Sequence, residues 1–211
     1  MRNALFSMAK RLRTAWIACA LAGCASSHAP SSSPATTTTT ASTAETRASE
    51  ASAASLNGTK PPEWQPTLWM NTPPLRLADL RGKVVLVRWW TANCPFCSAT
   101  APALRKFDKD YGAKGLLVVG MYHHKDEGAF DPRIYQDTAK RYGFTFPIAF
   151  DPEWRTLKSW MNGVDTGWTS VTFVLDKKGI VRHVHPGGQY IQGDATHAKL
   201  TAVIEQLIAE N

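Results

Sequence analysis

The sequence predicts an α/β domain, a mixed central β-sheet flanked by helices, and three observations carry that reading. Residues 83–90 (KVVLVRWW) form a β-branched and aromatic run with the composition of a strand buried on both faces. From Cys97 onward, Ala101, Leu104 and Phe107 recur at helical spacing, so this strand feeds a helix through a short turn. Downstream, residues 171–175 and 180–185 flank Asp176-Lys177-Lys178-Gly179, a turn with glycine at its end, which reads as a β-hairpin.

The stretches between fill in the same architecture. Residues 116–121 (LLVVGM) make a second buried strand. Asp131-Pro132 pairs an N-cap with a first-turn proline and opens a helix through Tyr142 that stops at Gly143. Residues 146–150 read as a short inserted strand, and Asp151-Pro152-Glu153 opens a helix carrying Trp154, Leu157 and Trp160. A last helix over 194–209 places Leu200, Val203, Ile204 and Leu207 on one face. Trp89 and Trp90 alternate across their strand, so one of the two is expected in the core.

The N-terminal part follows another grammar. Arg2, Lys10, Arg11 and Arg13 make a positive start, and residues 15–22 (AWIACALA) are an apolar run too short to span a bilayer. Leu21-Ala22-Gly23-Cys24 resembles the lipobox of bacterial lipoproteins, where cleavage just before the cysteine precedes its acylation. Residues 1–23 are therefore expected to be a lipoprotein signal peptide and Cys24 a lipidation site. Ala25 lacks the acidic inner-membrane retention signal, which favours outer-membrane attachment. Residues 24–60, rich in Ser, Thr and Ala, are expected to be a disordered tether, because they offer too little apolar surface to offset ordering entropy. The folded domain is expected over 61–211. The formal charge of +7 falls to +3 without the four basic residues of 1–23, and no basic stripe points to nucleic acid.

With Cys19 in the signal and Cys24 acylated, Cys94 and Cys97 are the remaining thiols of an exported domain. A four-ligand zinc site would need two of His28, His123, His124, His183, His185 and His197, and none of these pairs at finger-like spacing. A purely structural disulfide across two intervening residues would constrain little chain entropy. Redox chemistry remains. At a strand-to-helix turn, Cys94 would face solvent beside unpaired amides and the positive end of the helix dipole, which favour a thiolate. Pro95 suits the first helical turn, and Cys97, one turn on and less accessible, would resolve a mixed disulfide.

From about Trp69 to the C-terminus the chain resembles thioredoxin-like domains of the TlpA/ResA type, a family of membrane-tethered thiol–disulfide oxidoreductases. LRLADLRGKVVLVRWW resembles the family's approach to its first core strand, CPFCSATAP keeps a proline five residues after the second cysteine, and VTFVLDKKGIVRHVHPGG resembles its closing hairpin. The resemblance implies a thioredoxin-like fold, catalytic Cys94 and Cys97, and a cell-envelope disulfide reductase acting on exported cysteine-containing proteins. It also implies a membrane electron donor. No cofactor beyond the Cys94–Cys97 pair and no metal is expected.

Three positions depart from that family. Arg88 stands where thioredoxins commonly bury an acid, and an arginine cannot accept a proton at ordinary pH. Asn93 replaces the tryptophan that often precedes the first cysteine. Ser170 takes the place of a cis-proline opposite the cysteines, so Thr169 and Ser170, with Trp168 beside them, are expected to line the substrate groove, with a trans bond as the default before serine. One of His123, His124, His183 and His185 is a candidate to approach the thiols, against the alternative of solvated strand ends. Two other functions remain open. Thr91-x-x-Cys94 matches the TxxC of peroxiredoxins, although Val87 stands where they carry a proline, and a metal-handling role would use the two cysteines with a histidine.

Cys24→Ser should release the protein from membranes or leave an uncleaved precursor. Fractionation and maturation unchanged from wild type would overturn the lipidation reading.

Overall fold

The computed structural model describes residues 38–210. The expectations that fall on residues 1–37, namely the signal peptide, Cys24 and the first part of the tether, lie outside the described residues. Six strands form one sheet: β1 (Leu68–Met70), β2 (Val84–Trp90), β3 (Leu116–Tyr122), β4 (Ile148–Phe150), β5 (Thr172–Leu175) and β6 (Val181–His185). Their order is β1-β4-β3-β2-β5-β6. β2, β3 and β4 run parallel, whereas β1, β5 and β6 each pair antiparallel with their neighbours, so the sheet is mixed as predicted. The helices are α1 (Thr38–Ala54), α2 (Pro95–Tyr111), α3 (Pro132–Arg141), α4 (Arg155–Met161) and α5 (Ala195–Ala209).

Every residue of β2 is buried, because helices cover both sides of this strand. Val84, Leu86 and Trp90 point to one side and pack with Ala101, Leu104 and Phe107 of α2, Tyr135 of α3 and Leu200 and Ile204 of α5. Val85, Val87 and Trp89 point to the other, where Leu157 and Trp160 of α4 meet Trp64 and Phe173. The expectation that one tryptophan is core is therefore too modest. Trp89 and Trp90 are 0% and 1% exposed on opposite faces. Trp89 lies edge-on to Trp160 and Phe173 with ring centroids 5.3 and 5.5 Å away, the arrangement that aromatic quadrupoles favour.

The remaining predicted elements are present with ends shifted by a few residues at most. Strand β1 was not anticipated: three residues are too few to show a period, and only pairing with β4 makes them a strand. The larger correction concerns the tether. Residues 38–54, expected to be disordered, form α1, and Ala53 and Leu56 beyond its middle are buried against Trp64, Leu77 and Leu80. Alanine is the best helix former and carries no side-chain entropy to lose, so an Ala-rich segment orders at low cost once its end finds an apolar seat. Packed structure thus begins before residue 61.

Two turns fix the strands that frame the site. In the β5–β6 turn, Asp176 Oδ1 accepts from the backbone N–H groups of Lys178 and Ile180 at 2.9 Å each, and Gly179 supplies φ +70°. At the start of α4, buried Asp151 accepts from the amides of Arg155 (3.0 Å), Thr156 (2.8 Å) and Leu157 (3.3 Å). A carboxylate satisfying three orphan amides holds α4 under the sheet. Asp151→Ala should destabilise the fold by about 2 kcal/mol, read as a lower urea midpoint at unchanged m-value.

Candidate active site

The cysteine pair sits where the parallel strand β2 hands over to α2. Asn93, at φ 51°, makes the left-handed step between them, a conformation that asparagine tolerates better than most residues. This gives a backbone reason for asparagine rather than tryptophan before the first cysteine. Cys94 is then the N-cap of α2, with its sulfur accepting the Cys97 N–H at 3.2 Å and Pro95 in the first turn. Both cysteines are free thiols, Cys94 partly exposed and Cys97 buried at 2% exposure. The expected division between an accessible and an occluded thiol is present.

Opposite them runs the loop that precedes β5. Ser170 Oγ lies 3.4 Å from Cys97 Sγ, so this loop faces the pair. Thr169 Oγ1 is 3.0 Å from His123 Nε2 and receives Lys125 Nζ at 3.4 Å. Trp168, 44% exposed, meets the 40%-exposed Phe96 edge to face at 5.5 Å, and the two rings make an apolar lip beside Cys94. Gly187 permits this: a Cβ there would stand 2.1 Å from the Trp168 Cβ. From the lip a groove of about 820 Å³ runs past His185 and Gly187 to Glu45 and Glu50 of α1. Sequence reasoning named Trp168, Thr169 and Ser170 but missed Phe96, whose position inside the cysteine motif hid its exposure. The HPGG run at 185–188 was the available signal for the second wall.

Beneath the thiols, the side chain of Arg88 is 1% exposed. Its Nη1 donates to the Ser170 carbonyl and to Thr172 Oγ1 at 3.3 Å, its Nη2 to the Gly188 carbonyl at 2.6 Å, and the Tyr190 ring lies 5.3 Å from the guanidinium carbon. Burial pushes the Cys97 thiol up from its ordinary value, while the Arg88 charge and the Ser170 hydroxyl pull it down. Of the candidate histidines, His123 contacts the loop opposite Cys97 through Thr169. Burial, reinforced by Lys125 and Arg88, pushes it down to about 3, so it is neutral at physiological pH. Burial and Arg88 likewise take His185 down to about 3. Neither is a base poised near neutrality. Among the described residues no group of three or more His, Cys, Asp or Glu side chains is placed to hold a metal ion.

A profile of the Redoxin family matches residues 56–204. The chain belongs to the Redoxin family. Among relatives, this redoxin is 35% identical to the protein DipZ of Mycobacterium bovis over 63% of its own length and 19% of that protein. It is 28% identical to the thiol–disulfide oxidoreductase ResA of Geobacillus kaustophilus over 53% of its length and 59% of ResA. It is 30% identical to the chloroplastic peroxiredoxin Q of Populus jackii over 53% and 51%. The redoxin thus spans between a fifth and about three fifths of these curated relatives. A thiol–disulfide isomerase from Corynebacterium glutamicum superimposes with a TM-score of 0.60 at 25% identity, covering 74% of this chain and 99% of that one. The thioredoxin-like fold read from the sequence is the fold of the redoxin.

The buried histidines make stability depend on pH. His123 titrates near 6.5 when unfolded but at about 3 when folded, so between these values the unfolded chain binds more protons. The contribution is complete above pH 6.5 and is lost as pH falls. Lowering pH from 7 to 5 should cost about 2 kcal/mol through this side chain, measured by urea unfolding at both pH values, and His123→Gln should flatten that dependence.

Proposed function

We propose that this redoxin is a thiol–disulfide oxidoreductase of the bacterial cell envelope that reduces disulfides in exported proteins. The observation that carries the reading is the pairing of a partly exposed Cys94 at a helix N-terminus with a buried Cys97 one turn later. The Cys94 thiolate attacks a substrate disulfide, a Cys94–substrate bond forms, and the first substrate sulfur leaves with the electron pair and takes up a proton. Cys97, deprotonated, then attacks Cys94 Sγ, the Cys94–Cys97 bond forms, and the second substrate sulfur leaves as a thiolate. The substrate gains two electrons and the cysteine pair loses them. The chemistry runs on the two sulfurs without a diffusible cofactor.

The loop of Trp168, Thr169 and Ser170 is assigned to receiving the substrate chain, supported by its position across from Cys97 and by the Phe96–Trp168 lip. An anchor at Cys24 and a membrane electron donor that returns the pair to the dithiol complete the reading. They are supported by the 21–24 motif and by the need for a reductant in an oxidising compartment. No helix among the described residues is long and apolar enough to cross a membrane. Attachment is assigned to an acylated Cys24 on the 21–24 motif, with the outer membrane favoured by Ala25.

The two cysteines should fail differently. Cys97→Ser should accumulate a reducible, higher-mass Cys94 adduct with substrate protein, whereas Cys94→Ser should form none and should lose insulin reduction entirely. Absence of an adduct together with rapid peroxide consumption and a Cys94 sulfenic acid would replace this reading with a thiol peroxidase, for which the Thr91-x-x-Cys94 spacing provides the motif.

A further inference from the structure

Even-numbered side chains of β2 point toward α2, and Arg88 takes the third place in the row Val84, Leu86, Arg88, Trp90. A guanidinium does not lose its proton in a protein, and burying it without a counter-ion is unfavourable. Every hydrogen-bond partner given above for Arg88 is neutral: two backbone carbonyls and a threonine hydroxyl, with the Tyr190 ring alongside. Its buried Nε has no partner, and among the described residues no carboxylate pairs with it.

The titratable groups around it and Cys97 carry no compensating charge at neutral pH. His123 and His185 are held neutral, and burial raises the Tyr190 and Tyr142 hydroxyls so that they remain protonated. Of the charged groups nearby, Lys125 reaches Thr169, Asp126 accepts from Asn93 at 3.4 Å and Asp194 acts on His185, and none of them hydrogen-bonds to Arg88 or Cys97. Cys97 and its partner Cys94 are the thiols beside Arg88 that can turn negative. Ser170 links the two ends directly, its carbonyl on Arg88 and its hydroxyl on Cys97 Sγ.

We propose that Arg88 is a positioning residue for the resolving step, holding the Ser170 loop against Cys97 and supplying the buried positive charge that Cys97 balances when it ionises. The inference rests on the exchange reading above. In that step Cys97 gives up its proton to solvent, its sulfur bonds to Cys94 Sγ, and the departing substrate thiolate is protonated from solvent, so no protein carboxylate is required. Arg88 favours the thiolate by field, in the position from which it could never take the proton itself.

The test is the titration of Cys97 in the full chain carrying Cys94→Ser, followed as the pH dependence of its alkylation by iodoacetamide and resolved by peptide mass spectrometry. Arg88→Met removes charge and donors, Arg88→Gln keeps donors without charge, and Arg88→Lys keeps charge. The Met and Gln variants should shift the Cys97 titration upward by about one pH unit, a tenfold loss of thiolate at a given pH, and Lys should restore it. With Cys94 present, the uncharged variants should resolve a preformed mixed disulfide about tenfold more slowly below that titration. If Arg88→Met does not fold, the Gln and Lys pair decides. An unchanged Cys97 titration in folded Arg88→Gln overturns the proposal. Because this titration needs no substrate, its outcome is separate from that of the Cys97→Ser trapping experiment, on which the exchange reading stands.

Discussion

A strand covered on both faces has no route to water for a polar side chain, and β2 carries a guanidinium in such a place. Its donors must be met from within, and the chain meets them by drawing two loops toward one point. The carbonyl of Ser170 comes from the segment before β5, and that of Gly188 comes from the segment after β6. The first segment faces Cys97, and the second packs against Trp168 and lines the groove that starts at the Phe96–Trp168 lip. The hydrogen-bonding demand of one buried cation and the shape of the reactive cleft are therefore the same constraint.

The hydrophobic frame supports this arrangement from both sides. Burying a large aromatic side chain contributes on the order of 2–3 kcal/mol, and the Trp89–Trp160–Phe173 cluster under the sheet is matched by Phe107, Leu104 and Ile204 above it. Tyr190 belongs to the upper core and also stands over Arg88, with its hydroxyl 3.3 Å from Thr172 Oγ1. Core packing thus reaches the site through one ring. The second turn of α2 is tied in similarly, since Thr100 Oγ1 accepts the Tyr190 N–H at 3.3 Å.

Much of this was legible in the sequence because it is local or periodic. Residues 83–90 announce a strand buried on both faces by having no polar alternation, and Asp131-Pro132 and Asp151 announce helix starts through capping chemistry. What escaped depends on partners distant in the chain. Strand β1 exists through pairing with β4, and α1 through the seat that Trp64, Leu77 and Leu80 give to Ala53 and Leu56. At the site, the cysteine spacing singled out Cys94 and Cys97, and placing Ser170 opposite them followed from the family's pattern. Arg88 was visible only as a missing acid. Its positive role needs the neutrality of its surroundings, which no linear pattern displays.

The segment that follows α1 has a consequence beyond packing. Gly58 N–H donates to the Val181 carbonyl and the Val181 N–H donates to the Thr59 carbonyl, at 2.7 and 2.9 Å, so the outer edge of β6 is engaged where it begins and α1 lies along it. At the far side, β1 offers an edge of three residues. Exposed sheet margins are templates for pairing with other chains, and short or covered margins discourage this. Under the exchange reading proposed above, such margins would also keep a substrate chain from pairing with the sheet. Short and covered margins leave little free backbone along this sheet for another chain to add to, whatever segment approaches the cysteine pair.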